Sequence, residues 1–212
     1  MRDDQDSRPT IYVLAGTNGA GKSSVGGATF KEEGAEYFNP DEVARRVLAD
    51  NPDLTVEQAN SIAWHEGKRL LECAIDKKLN WVFETTLGGN TIPALLHRAA
   101  ETGLDVQVLY VGLASPELHI ARVQARVARG GHDIPESKIR ERYDQSRVNL
   151  IHLLPWLTSL RLYDNSDEGD PATVGPQPKL ILHLEEGRIR EVLPMSQVPQ
   201  WARPIVLAAL RT

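Results

Sequence analysis

Hydrophobic and polar positions alternate here on the scale of whole elements: short apolar runs are separated by longer amphipathic stretches. Ile11-Tyr12-Val13-Leu14-Ala15, Trp81-Val82-Phe83 and residues 106–112 are near-continuous apolar runs, as expected of strands buried on both faces, and residues 160–166 read as the last core strand. The first helix is predicted over residues 22–33, stopped by Gly34, and a brief strand over 36–39 is cut off by Pro40. A second helix covers 41–50, closed by Asn51-Pro52. Thr55 and Gln58 form a capping box for a helix running to about Lys78, with Ala59, Ile62, Ala63, Leu70 and Ala74 on one face. Residues 93–102 form another helix, with Gly103 as its stop. Ser115-Pro116-Glu117 opens a helix that breaks at Gly130-Gly131, and Asp133-Ile134-Pro135-Glu136 reads as the capping signal of the next. Residues 167–178, rich in proline, glycine and acid, form a loop. Residues 179–184 and 188–193 flank Glu185-Glu186-Gly187 as a β-hairpin, and a helical segment near 201–210 closes the chain. Strands alternating with helices predict an α/β fold, a mostly parallel sheet covered on both faces.

One local pattern decides the chemistry. Gly16-Thr17-Asn18-Gly19-Ala20-Gly21-Lys22-Ser23 joins the first strand to the first helix. This is the setting that the phosphate-binding loop G-x-x-x-x-G-K-[ST] requires. Glycines let successive amides curl around an anion, and the helix start adds partial positive charge. Residues 16–23 together with Ser24 are therefore the candidate nucleotide cradle. Lys22 would reach the outer phosphates, and the Ser23 hydroxyl would face Mg²⁺. A chance match in a chain this long is roughly a one-per-cent event.

Composition narrows the partners. The chain has 212 residues, 41% hydrophobic and 25% charged, with a formal net charge of −5, ordinary for a globular domain and without the basic field that favours nucleic acid or an anionic membrane. The single cysteine, Cys73, excludes an internal disulfide framework and reads as a packed thiol. The charged segment 1–9 is expected to be a flexible tail with no signal peptide, and no apolar run reaches membrane-spanning length. A cytoplasmic protein is expected. The six histidines show no metal-ligand spacing, so the metal to expect is the Mg²⁺ that accompanies ATP.

Asn39, Glu84 and Gly112 stand at strand carboxyl ends, where ligands bind in such sheets. Asp41 opens the second predicted helix, where it would serve as a cap. Glu84, beside Thr85 and Thr86, stands where it would partner Mg²⁺ with Ser23. Arg122, Arg126 and Arg129 share one face of a helix, and Arg140, Arg142 and Arg147 follow on the next. An arginine-rich helical hairpin after the fourth strand reads as a lid over a nucleotide, here residues 116–159. His132 reads as a hydrogen-bonding group of that lid. Asn165 either lines the adenine site or ends a strand. No NKxD motif of a GTPase and no LSGGQ-type signature of a transporter is present. A nucleoside-kinase-like P-loop fold remains, the whole chain forming one domain.

Residues 16–23, Asn39-Pro40-Asp41, Phe83-Glu84-Thr85-Thr86-Leu87, Arg129-Gly130-Gly131-His132-Asp133-Ile134-Pro135-Glu136 and Tyr163-Asp164-Asn165-Ser166 together resemble the zeta toxin-type P-loop kinases over residues 11–166, and the C-terminal hairpin is similar to that of shorter zeta-like ATPases. Characterised zeta toxins phosphorylate UDP-N-acetylglucosamine on a sugar hydroxyl and are held inactive by an antitoxin. The resemblance implies Asp41 as general base, Glu84 and Thr86 as acceptor contacts, and Arg126 and Arg129 as lid arginines that stabilise the transferring phosphoryl group. Where the toxin pattern places an arginine after the acidic residue, this chain has Gly88 and Gly89. An ATP-dependent kinase acting on a small hydroxyl-bearing metabolite is the leading expectation, and a nucleotide switch with slow hydrolysis is the alternative.

Overall fold

The computed structural model describes residues 8–26, 37–131, 133–167 and 178–211. The expected chain tail before residue 8, the helix beyond Gly26 with its stop at Gly34, Glu36, His132 and most of the 167–178 loop lie outside the described residues.

The first apolar run forms β1 (Thr10–Ala15). It lies between β2 (Trp81–Thr85) and β3 (Asp105–Gly112), parallel to both, with Val13 opposite Phe83 on one side and Val108 on the other. The next strand, β4 (Ser159–Asp164), is parallel to β3. The hairpin strands β5 (Lys179–Glu185) and β6 (Arg188–Val192) complete a single six-stranded sheet of order β2-β1-β3-β4-β5-β6. Residues 160–166 are thus not the last core strand. β5 pairs antiparallel with β4, and Ile181, Leu182 and Leu184 join the main core. The open edge of β4 presents unpaired backbone groups that β5 satisfies, and the pairing brings the apolar side chains of β5 to the shared core. The hairpin turns at Glu186 and Gly187, both at positive φ, as a two-residue turn between twisted strands requires.

The predicted strand at 36–39 reduces to one bridge, Phe38 with Phe83. Phe38 donates to Val82 O and accepts from Glu84 N, each at 2.9 Å. Pro40, without an N–H, ends the pairing and begins a helix instead.

Seven α-helices surround the sheet among the described residues: α1 (Lys22–Val25), α2 (Pro40–Asp50), α3 (Val56–Lys77), α4 (Thr91–Glu101), α5 (Pro116–Val127), α6 (Glu136–Leu153) and α7 (Arg203–Ala209). The capping box forms at α3 as expected: Thr55 Oγ1 accepts from Gln58 N and the Gln58 side chain accepts from Thr55 N. The face of α3 is shifted from the expected one. Ala59, Ala63, Leu71, Ala74 and Ile75 are buried, whereas Ile62 is 46% exposed, because it stands about 100° from Ala63 on the helix. At α6 the expected capping signal is not used. Pro135 is the cap residue and makes no side-chain cap bond, while Asp133 Oδ1 accepts from Ile134 N instead.

One sheet face carries Ile11, Val13, Val106, Val108, Tyr110, Leu160 and Leu162, packed with Leu95 and Leu96 of α4, Leu150 and Leu153 of α6, and Ile205 and Val206 of α7. On the other face Leu14 meets Gly26, just after α1. The C-terminal half of α6 thus belongs to the core, and its N-terminal half projects over the strand ends. Gly112 leaves room for the Trp201 indole: a Cβ there would stand 2.2 Å from Cη2. Trp201 Nε1 donates to Asp164 Oδ1 at 3.2 Å, tying the C-terminal segment to the same rim.

Candidate active site

The loop after β1 is shaped by its glycines. Gly16, Gly19 and Gly21 have φ of 140°, 83° and 85°, the region glycine adopts without strain. Added Cβ atoms would lie 2.1 Å from Val111 O, 2.6 Å from His119 O and 2.5 Å from Asn165 Nδ2 respectively, so the backbone can pass this close to its neighbours only without side chains. Four bonds from distant segments brace the turn. His119 Nδ1 contacts Asn18 O at 2.8 Å, Arg142 Nη1 donates to Asn18 Oδ1 at 2.8 Å, Thr17 Oγ1 donates to Arg142 O at 3.4 Å, and Asn165 Nδ2 donates to Ala20 O at 2.9 Å. Ser24 N closes on Gly21 O, and its side chain is exposed.

His119 is 1% exposed. Burial pushes its imidazole down to about 4, aided by the Lys22, Arg122 and Arg147 charges and opposed by the bond to the Asn18 carbonyl. The fold holds the ring neutral, whereas an unfolded chain protonates it near pH 6.5. Its effect is nil above about pH 6.5 and costs stability as pH falls toward 4, by roughly 3 kcal/mol in all. His119→Gln is expected to flatten this part of the acid slope in denaturant unfolding between pH 6.5 and 4. Slopes identical to the unsubstituted protein would contradict that assignment.

The lysine and serine that follow the glycines meet one carboxylate. Register places Leu14 beside Glu84 and Ala15 beside Thr85, which brings the end of β2 against the start of the loop. Lys22 Nζ donates to Gly16 O at 2.8 Å and lies 3.3 Å from Glu84 Oε1. Ser23 Oγ donates to Glu84 Oε2 at 3.1 Å, and Asn39 Nδ2 approaches the same oxygen at 3.5 Å. A hydroxyl and a carboxylate side by side at a phosphate cradle are hard oxygen donors suited to Mg²⁺, which takes one or two protein oxygens plus phosphate and water. No cluster of three or more His, Cys, Asp or Glu able to hold a metal exists among the described residues.

Asn39 caps α2: its Oδ1 accepts from Asp41 N at 2.9 Å and Glu42 N at 3.4 Å. The cap is Asn39, so the Asp41 carboxylate is left for other contacts in the first turn. Arg126 Nη1 lies 3.7 Å from Asp41 Oδ2, with the two side chains 40% and 41% exposed. A pair that exposed is worth at most about 1 kcal/mol.

These groups open into one cavity of about 690 Å³ lined by Lys22, Asn39, Asp41, Glu84, Thr85 and Thr86, with Lys138 and Arg142 from α6. The threonines also hold the turn after β2. Thr85 Oγ1 accepts from Leu87 N and Thr86 Oγ1 from Gly88 N, while Leu87 sits at a φ of 52° and its carbonyl accepts from Asn149 Nδ2 at 2.7 Å. A non-glycine residue in the left-handed region costs of order 1–3 kcal/mol and persists only where such bonds fix it.

Of the arginines singled out by helix spacing on α5, Arg126 approaches the cavity-lining Asp41 without lining the cavity itself. Arg129 does not line the cavity: it is exposed, and its Nε donates to Ala125 O at 3.2 Å. Asn165 braces the back of the loop and is not among the cavity-lining residues. Arg142, one of three arginines noted on α6 with no individual role, is the guanidinium that touches both loop and cavity. Gly88 leaves it room, since a Cβ at that position would stand 2.6 Å from Arg142 Cγ. The glycine that departs from the toxin pattern is the space that Arg142 occupies.

A mostly parallel sheet, a glycine loop with its buried lysine, and an acidic residue at the end of the neighbouring strand define the P-loop kinase fold. Residues 1–167 match the family described as Zeta toxin, and the chain belongs to that family. An uncharacterised protein of Haemophilus influenzae is 33% identical over 129 residues, covering 60% of this chain and 88% of its own. Among solved structures, a chain of the AvrRxo1-ORF1:-ORF2 complex with ATP has a TM-score of 0.67 at 16% identity, covering 96% of this chain and 64% of that one. This chain therefore spans somewhat less than two thirds of that relative's length. A chain of the PezAT chromosomal toxin–antitoxin system of Streptococcus pneumoniae has a TM-score of 0.52 at 17% identity, covering 76% of this chain and 70% of that one. Both likenesses are of fold. No helix among the described residues is long and apolar enough to cross a membrane.

Proposed function

We propose that this protein transfers the terminal phosphoryl group of ATP to a hydroxyl of a small metabolite, a nucleotide sugar such as UDP-N-acetylglucosamine being the acceptor class to test first. The observation that carries the reading is that Lys22, Glu84 and Asp41 line one cavity with Arg142, of a size that suits a small ligand. Asp41 takes the proton of the attacking hydroxyl. As the new O–P bond forms, the bond to the β-phosphate oxygen breaks and ADP leaves. Lys22 and Arg142 hold charge on the phosphates from the loop side, and Arg126, released from Asp41, does so from α5. Such chemistry is catalysed mainly by positioning and charge neutralisation. Ser23 and Glu84 would hold Mg²⁺, which would supply neutralising charge to the terminal phosphates. The toxin–antitoxin relative supports an antitoxin as a partner.

Incubating the protein with ATP and a small-metabolite extract, followed by mass spectrometry, is expected to reveal a new phosphomonoester. ADP release with no new phosphoester would overturn the kinase reading in favour of a nucleotide switch.

A further inference from the structure

Helix α3 carries a stripe whose character changes partway along it. Glu57, Ser61, Trp64, Lys68, Leu71 and Ile75 follow one another at spacings of four, three, four, three and four, so they share one face of the helix. Leu71 and Ile75 are buried in the main core. Glu57, Ser61, Trp64 and Lys68 instead line the cavity, joined by Asn60 and Gly67. A face that is apolar where it meets protein and polar where it meets the cavity is matched to two different neighbours. At about 1.5 Å per residue, the cavity-facing part extends roughly 16 Å, far longer than a single hydroxyl needs.

Trp64 stands in the middle of this stripe, 42% exposed. Its indole meets His65 edge-on, with centroids 4.9 Å apart at 88°. Val56 and Ile62 on the same helix are similarly exposed but are not part of the cavity wall. Gly67, one turn further, brings α3 down onto Phe38, whose Cε1 would be 2.6 Å from an added Cβ. The wall that carries Trp64 is thereby fixed to the β2 edge and to the segment that delivers Asp41.

We propose that this stripe is the acceptor-recognition surface. Trp64 stacks on a ring of the acceptor that has an apolar face and a polar edge, and Glu57, Asn60, Ser61 and Lys68 meet the polar groups around it. The proposal rests on the kinase reading above and adds how that site chooses its acceptor. Trp64 acts on binding, away from the reacting atoms, so its loss weakens acceptor binding and leaves the chemical step in place.

The test measures phosphorylated product against dilution of the metabolite extract, with ATP in excess. Trp64→Ala is expected to raise the half-saturating amount of extract about ten- to hundred-fold, with the maximal rate kept within roughly threefold and calorimetric ATP affinity unchanged. Trp64→Phe keeps a ring and is expected to recover most of the loss, and Ile62→Ala to change nothing. The product's identity then states which ring is read. An unchanged half-saturation in Trp64→Ala, or a Trp64→Phe protein as impaired as Trp64→Ala, overturns the stripe while leaving the kinase reading intact. Absence of any product from the unsubstituted protein removes the kinase reading itself, and this proposal with it.

Discussion

Asp41→Asn is expected to lower phosphoryl transfer by about 10²–10⁴-fold, the usual contribution of a positioned base, while ATP affinity and melting temperature stay close to those of the unsubstituted protein. The fold should tolerate the change. Asn39, not Asp41, supplies the side-chain cap of α2, the amide keeps the size of the carboxylate, and the lost pairing with Arg126 is a half-exposed one worth at most about 1 kcal/mol. Radiolabelled phosphate transfer, with calorimetry of ATP binding in parallel, makes the check. Undiminished turnover would remove Asp41 from the mechanism, and a matching loss of ATP affinity would make it a nucleotide-binding group.

Lys22→Ala should abolish measurable ATP binding, a loss of at least about a hundredfold. Its ammonium sits almost fully buried between Gly16 O and the Glu84 carboxylate, and charge-assisted bonds to phosphate are about twice as strong as neutral ones. The substitution also leaves Glu84, itself 12% exposed, without its counter-charge, which lowers stability as well. Thermal unfolding separates the two effects: a protein still folded at the assay temperature but unable to bind ATP has lost a ligand contact. Retained affinity would contradict the assignment of the loop.

Legibility in the sequence followed the range of the interaction. The loop, the capping box at Thr55 and the strand ends at Glu84 and Gly112 are local, set by residue types a few positions apart, and they stand where the pattern puts them. The destination of an edge strand is not local. The apolar positions of the 179–193 hairpin predicted two strands but not that they would extend the main sheet through β4. Nor does helix spacing settle which arginine reaches a ligand. Arg126 and Arg129 differ by three positions, yet one faces Asp41 and the other returns to its own helix carbonyl. Arg142 reaches the loop because Gly88, 54 positions earlier in the chain, leaves it room, a pairing of absence with presence that one sequence cannot reveal. Ile62 and Trp64 make the same point on α3: an apolar residue turned to solvent and an aromatic turned to a cavity look alike until the neighbouring wall is known.

A crystal structure with Mg²⁺ and a non-hydrolysable ATP analogue tests the central claim most directly. The account predicts the β-phosphate cradled by the amides of residues 19–23, the metal beside Ser23 and Glu84, and the terminal phosphate directed into the cavity toward Asp41 with Arg142 against it. A nucleotide bound elsewhere, or one whose terminal phosphate points away from Asp41 and Arg142, would contradict it.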